Sequence, residues 1–149
     1  MADRIVAAAE ITSGDVVLEV GPGHGALSEL LARKATSLIL IEIDNKLASS
    51  LVVRYRSNPG VAVLSEDARE FTPDWVPDLR DREYKFVANL PYYAASPIVR
   101  RFLETTVRPS LMVVTVQREV ADGMSAAPGH MSLLSVAVQL YAEVAHVIS

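Results

Sequence analysis

The sequence predicts an α/β protein built on a doubly wound, mostly parallel sheet. Five apolar runs carry this reading: Val16–Val20, Leu38–Ile43, Val61–Leu64, Lys85–Asn89 and Leu111–Gln117. They are rich in Val, Ile and Leu and mostly do not alternate with polar residues, as strands buried on both faces do. Stretches of helical spacing separate them, and strands alternating with helices form right-handed βαβ units. The polar motifs of the chain fall at the carboxyl ends of the predicted strands. Open α/β sheets bind their ligands there, near the point where the strand order reverses.

Taken in order, the chain opens on a short helix over Arg4–Glu10. The first strand runs into a glycine-rich turn, and Ala26–Lys34 follows as a helix with Leu27, Leu30 and Leu31 on one face. Asn45–Tyr55 presents Leu47, Leu51 and Val52 at helical spacing, with Asp44 or Asn45 as N-cap. Ser96-Pro97 reads as a helix start, Ser at the N-cap and Pro at the first helical position. That helix runs to about Thr105 with Ile98, Val99, Phe102 and Leu103 inward. Ser132–Tyr141 reads as a further helix, and Glu143–Ile148 as a sixth strand.

Composition narrows the function classes. The chain has 149 residues, half of them apolar, and a net charge of −4; that length suits one domain spanning residues 1–149. Without cysteine there is no disulfide, thiolate metal site or Cys nucleophile, and no His/Asp/Glu cluster has metal-ligand spacing. No apolar run approaches the length of a membrane span, and residues 2–11 lack the features of a signal peptide, so the expected location is cytoplasmic. Residues 1–75 hold seven basic and eleven acidic side chains, whereas residues 76–149 hold seven of each. Neither half has the basic surface of a self-sufficient nucleic-acid binder.

The first strand ends in Glu19-Val20-Gly21-Pro22-Gly23-His24-Gly25. Glycine lets a tight βα turn bring backbone close to a ligand. The spacing is Gly-x-Gly-x-Gly, not the Gly-x-Gly-x-x-Gly of dinucleotide sites. Glu19 before the loop suits a cationic ligand and not a pyrophosphate, and S-adenosylmethionine carries a sulfonium, an ammonium and no phosphate. At the end of the second strand, Glu42 can accept two hydrogen bonds from ribose hydroxyls, with Ile43 beside it and Asp44 as helix cap. At the end of the third, Asp67 of Glu66-Asp67-Ala68 can accept the exocyclic amine of an adenine. The fourth ends in Asn89-Leu90-Pro91-Tyr92-Tyr93. Nucleobase amines are poor nucleophiles because the lone pair is delocalised into the ring. The Asn89 side-chain oxygen and the Leu90 carbonyl can accept both N–H bonds of such an amine. Pro91 fixes the backbone that aims them, and Tyr92 can stack on an extruded base.

The order Glu-Val-Gly-Pro-Gly, Glu-Ile-Asp, Glu-Asp-Ala and Asn-Leu-Pro-Tyr-Tyr resembles the ribosomal RNA adenine N6-dimethyltransferases, most of all the bacterial small-subunit (KsgA-type) enzymes. The large-subunit macrolide-resistance methylases are close cousins. Val116–Val120 and Leu134–Val136 resemble later family segments. The resemblance implies a Rossmann-like class I S-adenosylmethionine-dependent methyltransferase fold. It implies cofactor contacts at Glu19, Gly21, Gly23, Glu42, Ile43, Asp67, Ala68 and Asn89, and a catalytic motif of Asn89, Leu90, Pro91 and Tyr92. The implied reaction is dimethylation at N6 of two adjacent adenines near the 3′ end of small-subunit rRNA, with the immature small subunit as partner. Relative to the family pattern, the chain is expected to lack the last strand and the C-terminal helical domain. An exposed sheet edge would then invite self-association. Two other classes are a family member that binds cofactor or a ribosomal precursor without turnover, and a nicotinamide-dependent oxidoreductase on the same fold.

Other polar and aromatic residues read as structural. His24 is expected at a helix-start surface, and His130 and His146 are isolated. Trp75 reads as packing in the loop after the third strand. Arg100, Arg101 and Arg108 read as a solvated face with phosphate contact as the alternative. Met124 and Met131 fall in an expected loop.

Overall fold

In the computed structural model, which describes residues 1–145, five strands form one parallel sheet. They are β1 (Val16–Val20), β2 (Ser37–Ile41), β3 (Val61–Leu64), β4 (Tyr84–Asn89) and β5 (Leu111–Thr115), in the order β3-β2-β1-β4-β5. The described helices are α1 (Ala2–Ala8), α2 (Ala26–Ala32), α3 (Asn45–Tyr55), α4 (Pro77–Arg80), α5 (Ala95–Glu104), α6 (Arg118–Met124) and α7 (Leu133–Gln139), with a 3-10 turn at Pro73–Trp75.

The sheet is double-faced because successive strand residues point to opposite sides. Val17, Leu38, Leu40 and Val87 pack with Ile5 and Val6 of α1, Leu27 and Leu31 of α2 and Leu51 of α3. Val16, Leu18, Val20, Ile39, Ile41, Phe86 and Ala88 pack on the other side with Leu79 of α4, the inner face of α5, Met124 of α6 and Val138 of α7. Phe102 stands 4.8 Å from Phe86 and 6.3 Å from Phe71, ring centre to ring centre. It thereby ties α5 to the sheet below and to the segment after β3 above. The chain winds outward from β1 through β2 to β3, then returns to the other side of β1 as β4. The strand order therefore reverses between β1 and β4.

Several boundaries differ from the sequence reading, each for a local reason. β2 stops at Ile41, not Ile43, because the Glu42 carboxylate turns inward to accept the Asp44 N–H at 2.9 Å. Asp44 then caps α3 by accepting from the N–H groups of Lys46 and Leu47. α5 starts at Ala95 and not at Ser96-Pro97, since the Pro91 carbonyl accepts the N–H groups of Ala94 and Ala95. Pro97 is tolerated inside the first turn, where an N–H has no intrahelical partner. β5 stops at Thr115 because Gln117 opens α6. α6 was not expected: Asp122 and Gly123 are weak helix formers, but Ala121 and Met124 are buried on its inner side. Met124 is thus a core residue and not part of a loop. α7 starts at Leu133, and Ser132 caps it in a reciprocal arrangement with Ser135. The expected strand Glu143–Ile148 lies partly outside the described residues, as does His146; residues 143–145 are not strand.

Candidate active site at the β1–β4 crevice

The reversal of strand order puts the β1 turn and the β4 motif side by side at the carboxyl edge of the sheet, since Val20 is paired with Ala88. Gly21 and Gly23 adopt φ of +70° and +57°, and a Cβ at either would meet nothing within 4 Å. The turn thus exposes its backbone to open space that a ligand can approach. Gly25, at φ +81°, has another role: a Cβ there would stand 2.8 Å from Arg54 Nη1, which donates to the His24 carbonyl. It is needed for close packing of the turn on α3. His24 itself is exposed, as expected.

Glu42 is buried, and its two oxygens accept from the backbone N–H groups of Gly23, at 3.0 Å, and of Asp44. One carboxylate therefore holds the glycine turn to the end of β2, while a lone pair on each oxygen is left for a ligand. Ile43, next to it, is 60 % exposed.

Glu19 behaves differently from an open anionic contact. It lies between Leu40 and Val87 on the neighbouring strands and is buried. Its Oε2 and the Ser28 hydroxyl of α2 are both buried without a hydrogen-bond partner. Burial pushes its pKa up to about 7, and the nearby Glu42 carboxylate adds to this. Its charge is therefore conditional, in contrast to a permanently ionised strand-end acid.

Asp67 lies in a turn in which the N–H groups of Glu70 and Phe71 donate to its carbonyl. Ala68 and Phe71 are buried against α5. Arg101 secures the same segment, its guanidinium donating to the Phe71 carbonyl at 3.0 Å and the Thr72 hydroxyl at 2.8 Å. The segment after β3 is thus anchored on α5. Asp67 accepts from the Arg69 backbone N–H at 2.9 Å and is gripped by the Arg69 guanidinium through Nε and Nη2. These bonds hold the Asp67 carboxyl below its usual range, the guanidinium contributing most.

At the end of β4, Asn89 is exposed and its Oδ1 accepts from the Thr115 hydroxyl of β5. That bond orients the amide and leaves Oδ1 a second lone pair. The Leu90 side chain is buried, and its N–H donates to the Thr115 carbonyl at 3.3 Å. Pro91 is exposed and its carbonyl starts α5. Tyr92 and Tyr93 are 70 % and 82 % exposed and available for stacking. The motif is therefore held from below by Leu90, from the side by Thr115 and from behind by α5.

The turn after β1, Glu42 with Ile43, the Asp67 segment and the Asn89–Tyr93 motif all lie along this one edge. Sequence reasoning missed Thr115, which no motif marks and which only the β4–β5 register brings opposite Asn89. It also missed Arg69, whose proximity to Asp67 was visible but whose pairing was not. Trp75 packs edge-on to Phe71 at 5.9 Å yet remains largely exposed. The other arginines have structural partners: Arg100 pairs with Glu104 and Arg108 lies over the Tyr141 ring. Among the described residues no group of three or more His, Asp or Glu side chains has the arrangement of a metal site. None of their helices is long and apolar enough to cross a membrane.

The family model described as Ribosomal RNA adenine dimethylase matches residues 1–149. Ribosomal RNA small subunit methyltransferase A of Dehalococcoides mccartyi (strain CBDB1) is 41 % identical over 139 residues, covering 93 % of this chain and 47 % of that protein. The protein of the same name from Latilactobacillus sakei subsp. sakei (strain 23K) is 42 % identical over 146 residues, covering 95 % and 49 %. Among solved structures, a dimethyladenosine transferase from Plasmodium falciparum is similar with a TM-score of 0.77 at 29 % identity, covering 93 % of this chain and 50 % of that one. The 23S rRNA methyltransferase ErmE gives 0.74 at 31 % identity, covering 91 % and 52 %. The chain spans about half the length of these curated relatives. With a match along its whole length and the crevice that its motifs line, the chain belongs to the ribosomal RNA adenine dimethylase family.

Proposed function

We propose that residues 1–149 form the single cofactor-binding domain of an enzyme that dimethylates N6 of two adjacent adenines near the 3′ end of small-subunit rRNA. The observation that carries this reading is the fixed pair of acceptors at Asn89 and Leu90, beside two exposed tyrosines and across a crevice from an open glycine turn. The cofactor that fits is S-adenosylmethionine, which when bound supplies an electrophilic methyl group. The residues match it by type: open backbone at Gly21 and Gly23, Glu42 for ribose hydroxyls, Ile43 and Ala68 as apolar walls, Asp67 for the adenine amine, and Asn89 on the methionine side.

The chain's own part in the reaction is orientation. Asn89 Oδ1 and the Leu90 carbonyl accept the two N–H bonds of the target amine and draw its lone pair out of the ring plane. Tyr92 holds the extruded base by stacking, worth roughly 1–3 kcal/mol. Pro91 and the start of α5 keep the acceptors in place, so the gain is one of proximity and alignment.

The test is transfer of labelled methyl groups to immature small subunits by the chain and by Asn89→Ala. The variant is expected to lose about 10²–10³-fold in rate, the scale on which one preorganised polar group matters. Unchanged methylation defeats the assignment. ErmE, at 31 % identity, supports a second reading in which the substrate is large-subunit rRNA. Running the same assay on both subunits separates the two.

A further inference from the structure

We infer that Tyr93 is a stacking platform for the nucleotide next to the target adenine, separate from Tyr92, which holds the target itself. This rests on the reading above and adds a second base subsite to it.

The chain presents the two rings from a fixed base. Leu90 is buried before them, and Ala94 and Ala95 are buried after them. Between these anchors the Pro91 carbonyl accepts the N–H groups of Ala94 and Ala95, both at 3.1 Å, which closes the segment into a turn of helical sense. Tyr92 and Tyr93 are the central residues of that turn. A tyrosine on such a backbone has only two side-chain torsions to order when a base settles on it. The two are 70 % and 82 % exposed, and among the described residues no ring stacks on either. Successive side chains in a helical turn diverge by about 100°. The rings therefore cannot share one base; they present two separate faces.

The chemistry of the target gives the second face its use. An adenine whose amine reaches Asn89 and Leu90 has left its stack, so its neighbour in the strand has lost a stacking partner. An aromatic face beside the target replaces that partner, because every base has a π-face. Tyr92, two residues after Leu90, takes the target. Tyr93 is one residue further on and turned away from Tyr92, which is where the neighbour lies. Electrostatics leave little else to hold a strand at this rim. The net charge is −4, and Glu66, Asp67 and Glu70 stand in the segment after β3. In α5, Arg100 is paired with Glu104, and Arg101 is engaged by the Phe71 carbonyl and the Thr72 hydroxyl. Stacking adds affinity here without calling on phosphate contacts.

The experiment measures binding without turnover, with the 149-residue chain saturated with S-adenosylhomocysteine. The RNA is a short hairpin with two adjacent adenines in its loop, one of them replaced by fluorescent 2-aminopurine. That analogue lacks the 6-amino group, so the remaining adenine takes the acceptor pair and the probe is its neighbour. Two hairpins, with the probe on the 5′ or the 3′ side, cover both neighbours. Wild type is expected to quench the probe on one side, as stacking does. Tyr93→Ala should leave that probe bright at saturating protein and weaken hairpin binding about fivefold or more. Its salt slope should equal that of wild type, because stacking releases no counterions. Tyr93→Phe, which keeps the ring, should behave as wild type. A probe quenched equally by wild type and Tyr93→Ala, or by neither, overturns the inference. So does a loss in Tyr93→Phe equal to that in Tyr93→Ala, or a smaller salt slope in Tyr93→Ala; in each case the functional reading stands. If wild type binds no S-adenosylhomocysteine at all, that reading fails and this one with it. Both substitutions are at an exposed side chain, and matching unfolding curves establish that the folds are equal.

Discussion

Glu19 carries a pH signature that can be measured without any ligand. Burial moves its pKa from 4.5 up to about 7, so the folded chain prefers the protonated acid. A raised acid pKa means stability that is fully present below about pH 4.5 and is lost as pH rises through about 7, by an amount of about 3 kcal/mol. Glu19→Gln cannot ionise. It is expected to leave stability nearly unchanged at pH 4.5 and to raise it by about 2–3 kcal/mol at pH 8.5, read from urea midpoints. The same gain at both pH values refutes the assignment of the effect to ionisation. Thr115 is the second residue whose role is specific. Its hydroxyl orients the Asn89 amide from a neighbouring strand, so Thr115→Val keeps the shape and removes the bond. One such hydrogen bond is worth about 1 kcal/mol. Methyl transfer is therefore expected to slow five- to tenfold in kcat, with little change in the KM for S-adenosylmethionine. A change confined to KM argues against an orienting role.

At the scale of elements, the crevice depends on how tightly the glycine turn is pressed onto α3. Gly25 has φ +81° and a Cβ there would press on Arg54 and Leu51. Gly25→Ala is expected to cost about 1–2 kcal/mol in backbone strain alone, lowering Tm by roughly 2–8 °C in a domain of this size. Gly21→Ala meets no neighbouring atom and should cost only the backbone term. Equal melting of the two variants contradicts the packing role of Gly25. On the opposite side, α5 joins the Asn89–Tyr93 motif to the Asp67 loop. Arg101 and Phe102, adjacent in sequence, bind that loop by hydrogen bonds and by ring stacking. The spacing between Asp67 and the Asn89–Leu90 pair is thus set by one helix and not by two independent loops.

For the whole molecule, charge and edges matter most. A net charge of −4 gives no general attraction to RNA. The chain's affinity for RNA is expected in the non-specific range of about 10⁻⁴–10⁻⁶ M and to fall steeply with salt. Among the described residues β5 pairs only with β4, so its outer edge is unpaired, as is that of β3 at the other end of the sheet. Leu133, Val136 and Leu140 of the neighbouring α7 region are exposed. A free strand edge beside an apolar strip favours association. Sedimentation is expected to show self-association at high micromolar concentration, and Leu133→Glu with Leu140→Glu to reverse it. A wild-type chain that stays monomeric over that range defeats this expectation. A concavity of about 590 Å³ is lined by Ser125 and residues 139–144. It lies on this same side and contains none of the predicted site residues.

The linear sequence determined the architecture and the order of the site. Short Val- and Ile-rich runs without alternation read as strands covered on both faces, and their alternation with helices points to parallel pairing. Glycine spacing and strand-end acids are local features, so the placing of Gly21, Gly23, Glu42, Asp67 and Asn89 at the carboxyl edge of the sheet was legible before any contact was known. Helix ends were less so: the start of α5 was set by the Pro91 carbonyl, which outweighed the Ser96-Pro97 signal. Only the tertiary structure decided how the charges are spent. Glu19 is enclosed because its neighbours at Leu40 and Val87 come from other strands. Asp67 is paired because its loop folds back on itself. Asn89 is oriented because Thr115 lies 26 residues away in sequence but opposite in register. Protonation and side-chain orientation depend on burial and on partners distant in the chain, which local pattern does not record.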